Sequence, residues 1–369
     1  MDRTAMVAWT RTIQESTSCC TLNEEFAAMR HLQLFVMLLA AVFLAWAPPS
    51  HGEPRDGLLI SEAPWPRLPE WGDLDDFTHT YFTRSVYERV RAQTELETLD
   101  IRYWSDGLAL RGLLIRPRNP GGQRWPAIIF NRGGTGDYGR IGNYGVPCKQ
   151  ENDSCLYIVD LMLLAEKGFV VIASDYRFHG ATGRRDEWGG QEVDDVLNLV
   201  PTLKAMDFVD PTRLYMLGQS RGGTMTYIAL KRGAPVRAAA VIAGPTLLSE
   251  DTKSFIHGDW FLKGNEWFDG APSVWPDYEH RAEEHYRERS AALWPDQINA
   301  PVLILHGRED KLVPVTQALR MAEALQANGK VYSLVIYGSD GHSISKSAGD
   351  RTRRIAEWFD TYGAHDLAR

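Results

Sequence analysis

The sequence of 369 residues predicts an α/β protein with a mostly parallel, eight-stranded sheet and helices on both faces of that sheet. Three observations lead to this prediction. Short apolar runs alternate with longer segments of helical periodicity, a hairpin signal precedes the alternation, and one long insertion interrupts it. Strands that are continuous apolar runs are typical of parallel sheets covered on both faces.

The sheet is expected to open with a hairpin. Residues 96–104 and 108–115 are strand-like, and Ser105, Asp106 and Gly107 lie between them. An Asp-Gly pair between two such segments is a strong hairpin signal, because both turn residues tolerate a positive φ. The first two strands are therefore predicted to be antiparallel.

The remaining elements follow from the alternation of apolar runs and helical periodicity. Further strands are predicted at residues 127–130, 170–173, 214–217, 238–243, 302–305 and 332–336. Helices are predicted near residues 85–92, 156–167, 191–206, 222–232, 315–327 and 347–362. A parallel strand needs a crossover connection, and a helix usually supplies it.

One long stretch, about residues 247–300, separates two predicted strands and is interpreted as an inserted cap. Connections beyond about 15 residues are usually functional in compact domains. The stretch carries several large aromatic residues, which are Trp260, Phe261, Trp267, Phe268, Trp275 and Trp294. Aromatic side chains near the ends of the strands are expected to wall an apolar pocket.

The N-terminal region is predicted to direct export, with a secreted or periplasmic destination. Residues 1–52 are interpreted as an upstream segment and a signal peptide, because Arg30 precedes the apolar block 32–47 and small residues follow it. A retained membrane anchor is the alternative, but the block is short for a membrane span. Residues 53–95 are expected to form an arm, and residues 96–369 the catalytic domain. Export would leave Cys148 and Cys155 as an even pair, for which a disulfide is favoured over two free thiols.

Charge and motifs exclude several functions. The net charge of −8, without long Lys/Arg runs, argues against nucleic acid as the main partner, because phosphate neutralisation needs a concentrated basic face. There is no zinc-ligand spacing, and the glycine-rich turn after the predicted strand 127–130 is interpreted as an oxyanion turn and not as a phosphate-binding loop. Neither a metal nor a nucleotide cofactor is therefore predicted. The expected partner is a small molecule or a short peptide acting as substrate.

The most informative motif is Gly218-Gln219-Ser220-Arg221-Gly222, which follows one predicted strand and precedes a predicted helix. In a nucleophile elbow, the serine occupies a strained strand-to-helix turn that exposes its hydroxyl. A side chain at residue 218 or 222 is expected to collide with neighbouring backbone. Ser220 is therefore the predicted nucleophile.

A serine hydroxyl needs a base to remove its proton, and the base needs an acid to fix its tautomer. Asp310 and His342 follow later predicted strands, and the order Ser, Asp, His is the one that this arrangement requires. Asp340 and Glu309 are the rival acids. The other histidines considered as the base are His179, His257, His280, His285 and His306, of which His306 is expected to bond nearby backbone.

The negative oxygen of a tetrahedral intermediate needs fixed hydrogen-bond donors. Gly133 and Gly134 follow the predicted strand 127–130, and the backbone N–H of Arg221 is adjacent to the nucleophile. These three residues are the predicted oxyanion hole. The acidic residues between positions 192 and 195 are explained by the helix dipole without any further role.

With these residues assigned, residues 96–362 resemble the α/β-hydrolase catalytic domain of the prolyl oligopeptidase (S9) family of serine peptidases. The motifs that carry the resemblance are 131–134, 175–177, 189–190 with 194–195, 218–223 and 301–314. The resemblance implies Ser220, Asp310 and His342 as the catalytic triad of a peptidase. A carboxylesterase acting on small acyl esters is the alternative, and a catalytically inactive binding protein is a further one.

Two departures from the family pattern bear on specificity. Family peptidases usually carry a propeller of several blades, each of roughly 40 residues, and the segment before the catalytic domain is expected to be too short to form one. Many family members have an aromatic residue after the serine, whereas this chain has Arg221. Its side chain is expected either to hold a substrate carboxylate or to form a salt bridge with the scaffold.

Overall fold

The described part of the chain forms a nine-stranded sheet with helices on both faces, as seen in a computed structural model. The structure describes residues 55–74, 76–134, 154–177, 186–248, 275 and 277–363. All of these residues belong to one compact unit, Pro54–Arg369. The predicted signal segment, Cys148 and four of the cap aromatics (Trp260, Phe261, Trp267 and Phe268) lie outside the described residues.

The strands are β1 (Leu59–Pro64), β2 (Leu96–Ser105), β3 (Leu108–Pro117), β4 (Trp125–Asn131), β5 (Val170–Ser174), β6 (Val209–Gln219), β7 (Ala238–Ile242), β8 (Val302–Gly307) and β9 (Tyr332–Tyr337). The α-helices within the described ranges are α1 (Asp76–Tyr81), α2 (Arg84–Arg91), α3 (Ser154–Ala165), α4 (Glu192–Leu197), α5 (Leu199–Lys204), α6 (Arg221–Lys231), α7 (Tyr278–Glu288), α8 (Thr316–Ala327) and α9 (Ala348–Gly363). Short 3-10 helices occur at Trp71–Asp73, Ala291–Leu293 and Pro295–Gln297.

The sheet order is β1-β2-β3-β5-β4-β6-β7-β8-β9. The pairs β1–β2, β2–β3 and β3–β5 are antiparallel, and every pair from β5–β4 to β8–β9 is parallel. The predicted hairpin turn is present, with positive φ at both Asp106 and Gly107. The prediction of a mostly parallel sheet in an α/β fold is therefore confirmed.

The predicted count of eight strands is wrong, because β1 adds a ninth strand from the segment interpreted as an arm. Five of its six residues are exposed, and it pairs antiparallel with β2. An edge strand of this kind is held by ladder hydrogen bonds and not by buried side chains. It therefore leaves no apolar alternation that a sequence pattern could reveal.

Two apolar layers lie on the two faces of the sheet, as side-chain alternation along a strand requires. In β4, Ile128 and Phe130 belong to one cluster, while Ala127 and Ile129 belong to the other. The first layer contains residues of α3 and α9, together with Tyr81 and Tyr87 of the N-terminal segment. The second layer contains residues of α4, α5, α6 and α8. No helix in the described ranges has both the length and the apolar character needed to span a membrane.

The parallel arrangement decides where chemistry can occur. Strands β4 to β9 all run in one direction, so the loops that follow their carboxyl ends lie along one edge of the sheet. Ser220 follows β6, Asp310 follows β8 and His342 follows β9. The fold therefore brings the three predicted catalytic residues to a common edge.

Candidate active site

Ser220 occupies a sharp turn between β6 and α6. Its backbone has φ 56° and ψ −127°, a left-handed conformation that a serine adopts only where the surrounding structure enforces it. The Ser220 N–H donates to the Ile242 carbonyl at 2.8 Å, which ties the turn to the neighbouring strand β7. The residue is partly exposed, whereas the residue that follows it is buried.

The two glycines of the motif are required by close backbone contacts. A Cβ atom at Gly222 would lie 1.9 Å from the Asn131 carbonyl oxygen, and one at Gly218 would lie 2.1 Å from the Gly222 carbonyl oxygen. Neither backbone atom can move without displacing a strand or a helix. The predicted collision at both positions is therefore confirmed.

The loops after β8 and β9 bring a carboxylate and an imidazole together. Asp310 Oδ2 lies 2.8 Å from His342 Nδ1. Asp310 Oδ1 accepts the backbone N–H groups of Leu312 and Val313, each at 2.9 Å. Because an ionised carboxylate can only accept hydrogen bonds, Nδ1 of His342 carries the hydrogen, which leaves Nε2 able to accept a proton.

Asp310 is maintained as a carboxylate. Burial by itself would raise its pKa, but hydrogen bonds from His306 and His342 and the backbone N–H of Val313 outweigh burial and hold the pKa below its usual value. His306 Nε2 lies 3.3 Å from Asp310 Oδ2 and 2.8 Å from the Val313 carbonyl oxygen, so it also bonds nearby backbone, as predicted.

Among the described residues, the rival acids and bases have other contacts or are exposed. The Asp340 carboxylate accepts the Lys346 N–H and the Ser347 hydroxyl, and so it organises its own turn. The Glu309 side chain is 54% exposed and lies near Arg308. His285 stacks on Trp275, His280 is exposed, and His179 and His257 lie outside the described residues.

Contacts that the sequence pattern did not predict support the His342 loop. A Cβ atom at Gly307 would lie 2.2 Å from the Gly341 carbonyl oxygen, so the end of β8 packs directly against this loop. The Arg351 guanidinium, from α9, donates to the Ser343 carbonyl at 2.5 Å and lies 2.6 Å from Asp160 Oδ1 in a buried ion pair. No sequence motif marks either contact, since each partner comes from a different part of the chain.

The predicted oxyanion residue Gly133 lies beside Ser220, the predicted nucleophile. A Cβ atom at Gly133 would lie 3.1 Å from the Ser220 Cβ atom, so only glycine leaves room there. The Gly133 N–H, however, donates to the Tyr157 hydroxyl at 3.2 Å and is already engaged. The Gly134 N–H has no acceptor among the described residues, and the Arg221 N–H is at the first turn of α6, where no intrahelical acceptor exists.

The Arg221 side chain turns into the protein. It is 2% exposed, and it donates to Asp186 Oδ2 at 2.6 Å, to Glu192 Oε1 at 2.5 Å and to the Gly134 carbonyl at 2.9 Å. Of the two roles predicted for this side chain, the structure therefore has the bridge to the scaffold. The explanation of the acidic residues by the helix dipole is incomplete, because Glu192 binds Arg221 and Asp195 binds Arg177.

The two cap aromatics within the described residues are packing residues. Trp275 is 1% exposed and lies against Trp188 and Tyr286, and its indole N–H donates to the Glu187 carbonyl at 2.9 Å. Trp294 is 5% exposed and belongs to the second apolar layer. For these two residues the expectation of a pocket wall is wrong, because burial removes both rings from any substrate.

Neither a metal nor a nucleotide site was predicted. Within the described ranges, no group of three or more His, Cys, Asp or Glu side chains could hold a metal ion. The glycine turn after β4 is occupied by protein contacts with Tyr157, Arg132 and Arg221. The arrangement of a strained serine, an oriented imidazole and backbone N–H donors fits acyl transfer.

Comparisons with known proteins agree with this chemistry. The sequence model of the prolyl oligopeptidase family matches residues 157–365. The uncharacterized peptidase YuxL of Bacillus subtilis is 27% identical over 312 residues, which are 79% of this chain and 41% of YuxL. The uncharacterized peptidase YtmA of the same organism is 24% identical over 263 residues, which are 70% of this chain and 91% of YtmA.

Among solved structures, the acylaminoacyl peptidase of Pyrococcus horikoshii superposes with a TM-score of 0.59 at 22% identity. The match covers 78% of this chain and 45% of that enzyme. The chain thus spans less than half the length of YuxL and of the archaeal enzyme. At 22% identity the superposition supports only the fold. Membership of the family is supported by the match to the family's sequence model.

Proposed function

Since this chain belongs to the prolyl oligopeptidase family and is a serine hydrolase, we propose that it cleaves peptide or amide bonds through an acyl-enzyme formed on Ser220. The observation that carries the proposal is the 2.8 Å contact between Asp310 and His342, at the edge of the sheet where the strained Ser220 turn also lies. The alignment of YuxL and YtmA, both described as peptidases, supports the choice of peptide bonds.

In the proposed acylation step, the Ser220 hydroxyl attacks the carbonyl carbon of the scissile bond while His342 Nε2 accepts the hydroxyl proton. Asp310 keeps Nδ1 protonated and stabilises the imidazolium that forms. The oxygen of the tetrahedral intermediate accepts hydrogen bonds from the Gly134 and Arg221 N–H groups. The C–N bond then breaks, His342 returns the proton to the leaving amine, and the acyl group stays on Ser220.

Deacylation repeats the sequence with water as the nucleophile. His342 removes a proton from the water, the hydroxide adds to the acyl carbon, and the same two N–H groups hold the oxyanion. Collapse of this intermediate breaks the ester bond to Ser220 and releases a carboxylic acid, and His342 returns its proton to the Ser220 oxygen. Two easier steps thereby replace one difficult displacement, which is the advantage of a covalent route.

Labelling with a fluorophosphonate tests whether Ser220 is an activated nucleophile. The full chain is expected to incorporate one label, and Ser220→Ala is expected to incorporate none. As a control, Ser105→Ala removes a serine hydroxyl that is buried on β2, and this variant is expected to leave labelling intact. Labelling that persists in Ser220→Ala, or that never occurs in the pure protein, would favour a binding protein on this fold.

Turnover of paired substrates tests the bond that is cleaved. Short peptide amides and esters that share one acyl group are compared by kcat/KM. An amide substrate turned over in a Ser220-dependent manner supports a peptidase. Cleavage of the ester alone would assign the same machinery to a carboxylesterase, because an alkoxide leaves more easily than an amine.

We also propose that the protein is exported and that Cys148 pairs with Cys155. The support is the sequence of the first 52 residues and the even number of cysteines that follow them. N-terminal sequencing of the protein from cell fractions is expected to find a mature start near Glu53 outside the cytoplasm. Intact mass before and after reduction is expected to differ by two hydrogens, and an unchanged mass would contradict the disulfide.

A further inference from the structure

Arg221 stands between the two halves of the predicted oxyanion hole. Its backbone N–H belongs to the first turn of α6, directly after the nucleophile. Its guanidinium reaches across to the glycine turn after β4, where Nη1 donates to the Gly134 carbonyl at 2.9 Å. One residue therefore contacts the glycine turn with its side chain and flanks Ser220 with its main chain.

The glycine turn depends on such contacts for its geometry. Gly134 has φ +73°. Glycine adopts this conformation at little conformational cost but also adopts many others, so contacts with neighbouring groups must select it. Three hydrogen bonds fix the peptides around it. The Gly133 N–H donates to Tyr157, the Gly133 carbonyl accepts from Arg132 at 3.1 Å, and the Gly134 carbonyl accepts from Arg221.

Among the described residues, these three bonds leave the Gly134 N–H without an acceptor. In a trans peptide, the C=O and N–H groups point in opposite directions. A bond from Arg132 to the Gly133 carbonyl therefore turns the Gly134 N–H away from Arg132. The bond from Arg221 to the Gly134 carbonyl holds the next peptide, so that Gly134 cannot rotate about its own φ and ψ.

The Arg221 guanidinium is itself held rigidly. Asp186 Oδ2 and Glu192 Oε1 each accept from it. Both carboxylates are anchored in turn, because Asp186 accepts the Trp188 N–H and Glu192 accepts the Gly189 N–H, each at 2.8 Å. Burial alone would lower the pKa of Arg221, but these two carboxylates raise it, so the guanidinium stays charged.

The contacts leave this guanidinium little capacity to bind substrate. Its terminal nitrogens donate hydrogen bonds to Asp186, Glu192 and Gly134, and the side chain is 2% exposed. A substrate carboxylate would have to displace a buried ion pair, which is a costly exchange. The side chain that follows the predicted nucleophile is thus bonded to the protein's own backbone and carboxylates.

We propose that the Arg221 side chain is a positioning residue that holds the Gly133–Gly134 turn so that the Gly134 N–H faces the developing oxyanion. The proposal rests on the proposed acyl-enzyme function. It predicts an effect on the transition state and not on substrate binding, since a donor to the oxyanion strengthens its bond only as negative charge develops.

Three variants of the full chain test the proposal. Arg221→Met removes the three donors, and Arg221→Lys keeps the charge and one or two of the bonds. Arg111→Met is the matched control, because Arg111 is also a buried arginine paired with a carboxylate, Asp100, but on strands β2 and β3. Thermal unfolding and fluorophosphonate labelling first establish that each variant is folded and has a reactive Ser220.

The expected result is a selective loss of turnover. Removing one oxyanion donor typically lowers kcat by about 100-fold to 1,000-fold, and misplacing one should cost about 10-fold to 100-fold. Arg221→Met should therefore show that loss in kcat at an unchanged KM. Its affinity for a trifluoromethyl ketone, which forms a tetrahedral adduct with the serine, should weaken by the same factor. Arg221→Lys should recover part of both losses, and Arg111→Met should retain both properties.

Two outcomes would overturn the proposal while leaving the proposed function standing. In one, Arg221→Met keeps wild-type kcat and ketone affinity and loses only thermal stability, which would make the arginine a structural residue. In the other, KM rises for acidic substrates alone, which would make it a substrate-binding residue. Failure of the function itself has a different signature, namely the absence of Ser220-dependent labelling in the unaltered protein.

Discussion

Asp310 Oδ2 lies 2.8 Å from His342 Nδ1, although 32 residues separate the two along the chain. The parallel pairing of β8 with β9 places the loops that carry them side by side. The Glu309 N–H donates to the Asp340 carbonyl at 2.9 Å and joins the two loops directly. The proposed acid and base are thus oriented by backbone contacts that do not depend on substrate.

Replacing Asp310 should inactivate the enzyme without removing its nucleophile. In Asp310→Asn, the amide can donate to Nδ1 and so favour the wrong imidazole tautomer, for which a loss of about 1,000-fold to 10,000-fold in kcat/KM is expected. Steady-state kinetics with a short peptide amide measure the loss. Glu309→Gln, which alters the exposed acid next to it, serves as the control and should retain activity. Equal losses in the two variants would contradict the assignment of the acid.

The acidic limb of the pH–rate profile should report one protonation. Because the pKa of Asp310 is held below its usual value, its carboxylate persists as the pH falls from 8 to 5. Asp310 should then take up no proton in this range, so the loss of activity should involve a single protonation. A plot of log kcat/KM against pH is expected to have a limiting slope of one on the acidic side. A slope of two above pH 5 would mean that Asp310 takes up a proton with the base.

Gly222→Ala should disturb both the elbow and the neighbouring strand end. The new methyl group would lie 1.9 Å from the Asn131 carbonyl oxygen and 2.7 Å from that of Arg132, so the chain before Gly133 must shift. Overpacking of this kind typically costs about 1 to 3 kcal/mol of stability, and kcat should fall with it because the oxyanion turn follows Arg132. Urea unfolding and amide turnover measure the two effects.

The control for this prediction is Gly349→Ala. Gly349 lies in α9 with no atom within 4 Å of an added Cβ. Alanine in a helix should leave stability unchanged or raise it by up to about 1 kcal/mol. A Gly222→Ala variant that behaved like this control would refute the close-packing argument at the elbow.

Arg351→Met should destabilise the fold beneath the His342 loop. Arg351 and Asp160 form a buried ion pair at 2.6 Å, and removing one partner of such a pair costs about 3 to 5 kcal/mol. Chemical denaturation at pH 7 measures the loss. The double variant Arg351→Met with Asp160→Asn should lose less, since no buried charge is left without a partner. A larger loss in the double variant would contradict this explanation.

The same variant should be pH-dependent in a defined direction. Burial raises the pKa of Asp160 even beside Arg351, and without the arginine it should rise further. A folded-state pKa above the unfolded value means that the folded protein binds more protons, so its stability falls as pH rises through that range. The free energy lost on Arg351→Met is therefore expected to be greater at pH 8 than at pH 5, as denaturant titrations at both values would show.

Most of the fold follows from local patterns in the chain. The apolar runs that predict β4, β5, β7 and β8 are buried on both faces, and this burial requires continuous hydrophobic segments that are visible in the sequence. The Asp106-Gly107 turn could also be predicted from the sequence, because its backbone needs residues that tolerate positive φ. The exposed strand β1 could not be predicted in this way, because backbone hydrogen bonds to β2 hold it. Such bonds place little demand on the side chains of the strand.

The sequence by itself predicts the nucleophile and its candidate partners. A glycine pattern around Ser220 has a local steric cause, and the order of strands limits which acid and which base can follow. Only the tertiary structure decided how Arg221 is used, because its partners Gly134, Asp186 and Glu192 come from separate segments. A guanidinium can bind a substrate or its own scaffold with the same chemistry. Which of the two occurs depends on where folding places the surrounding carboxylates. A local sequence pattern does not indicate that placement.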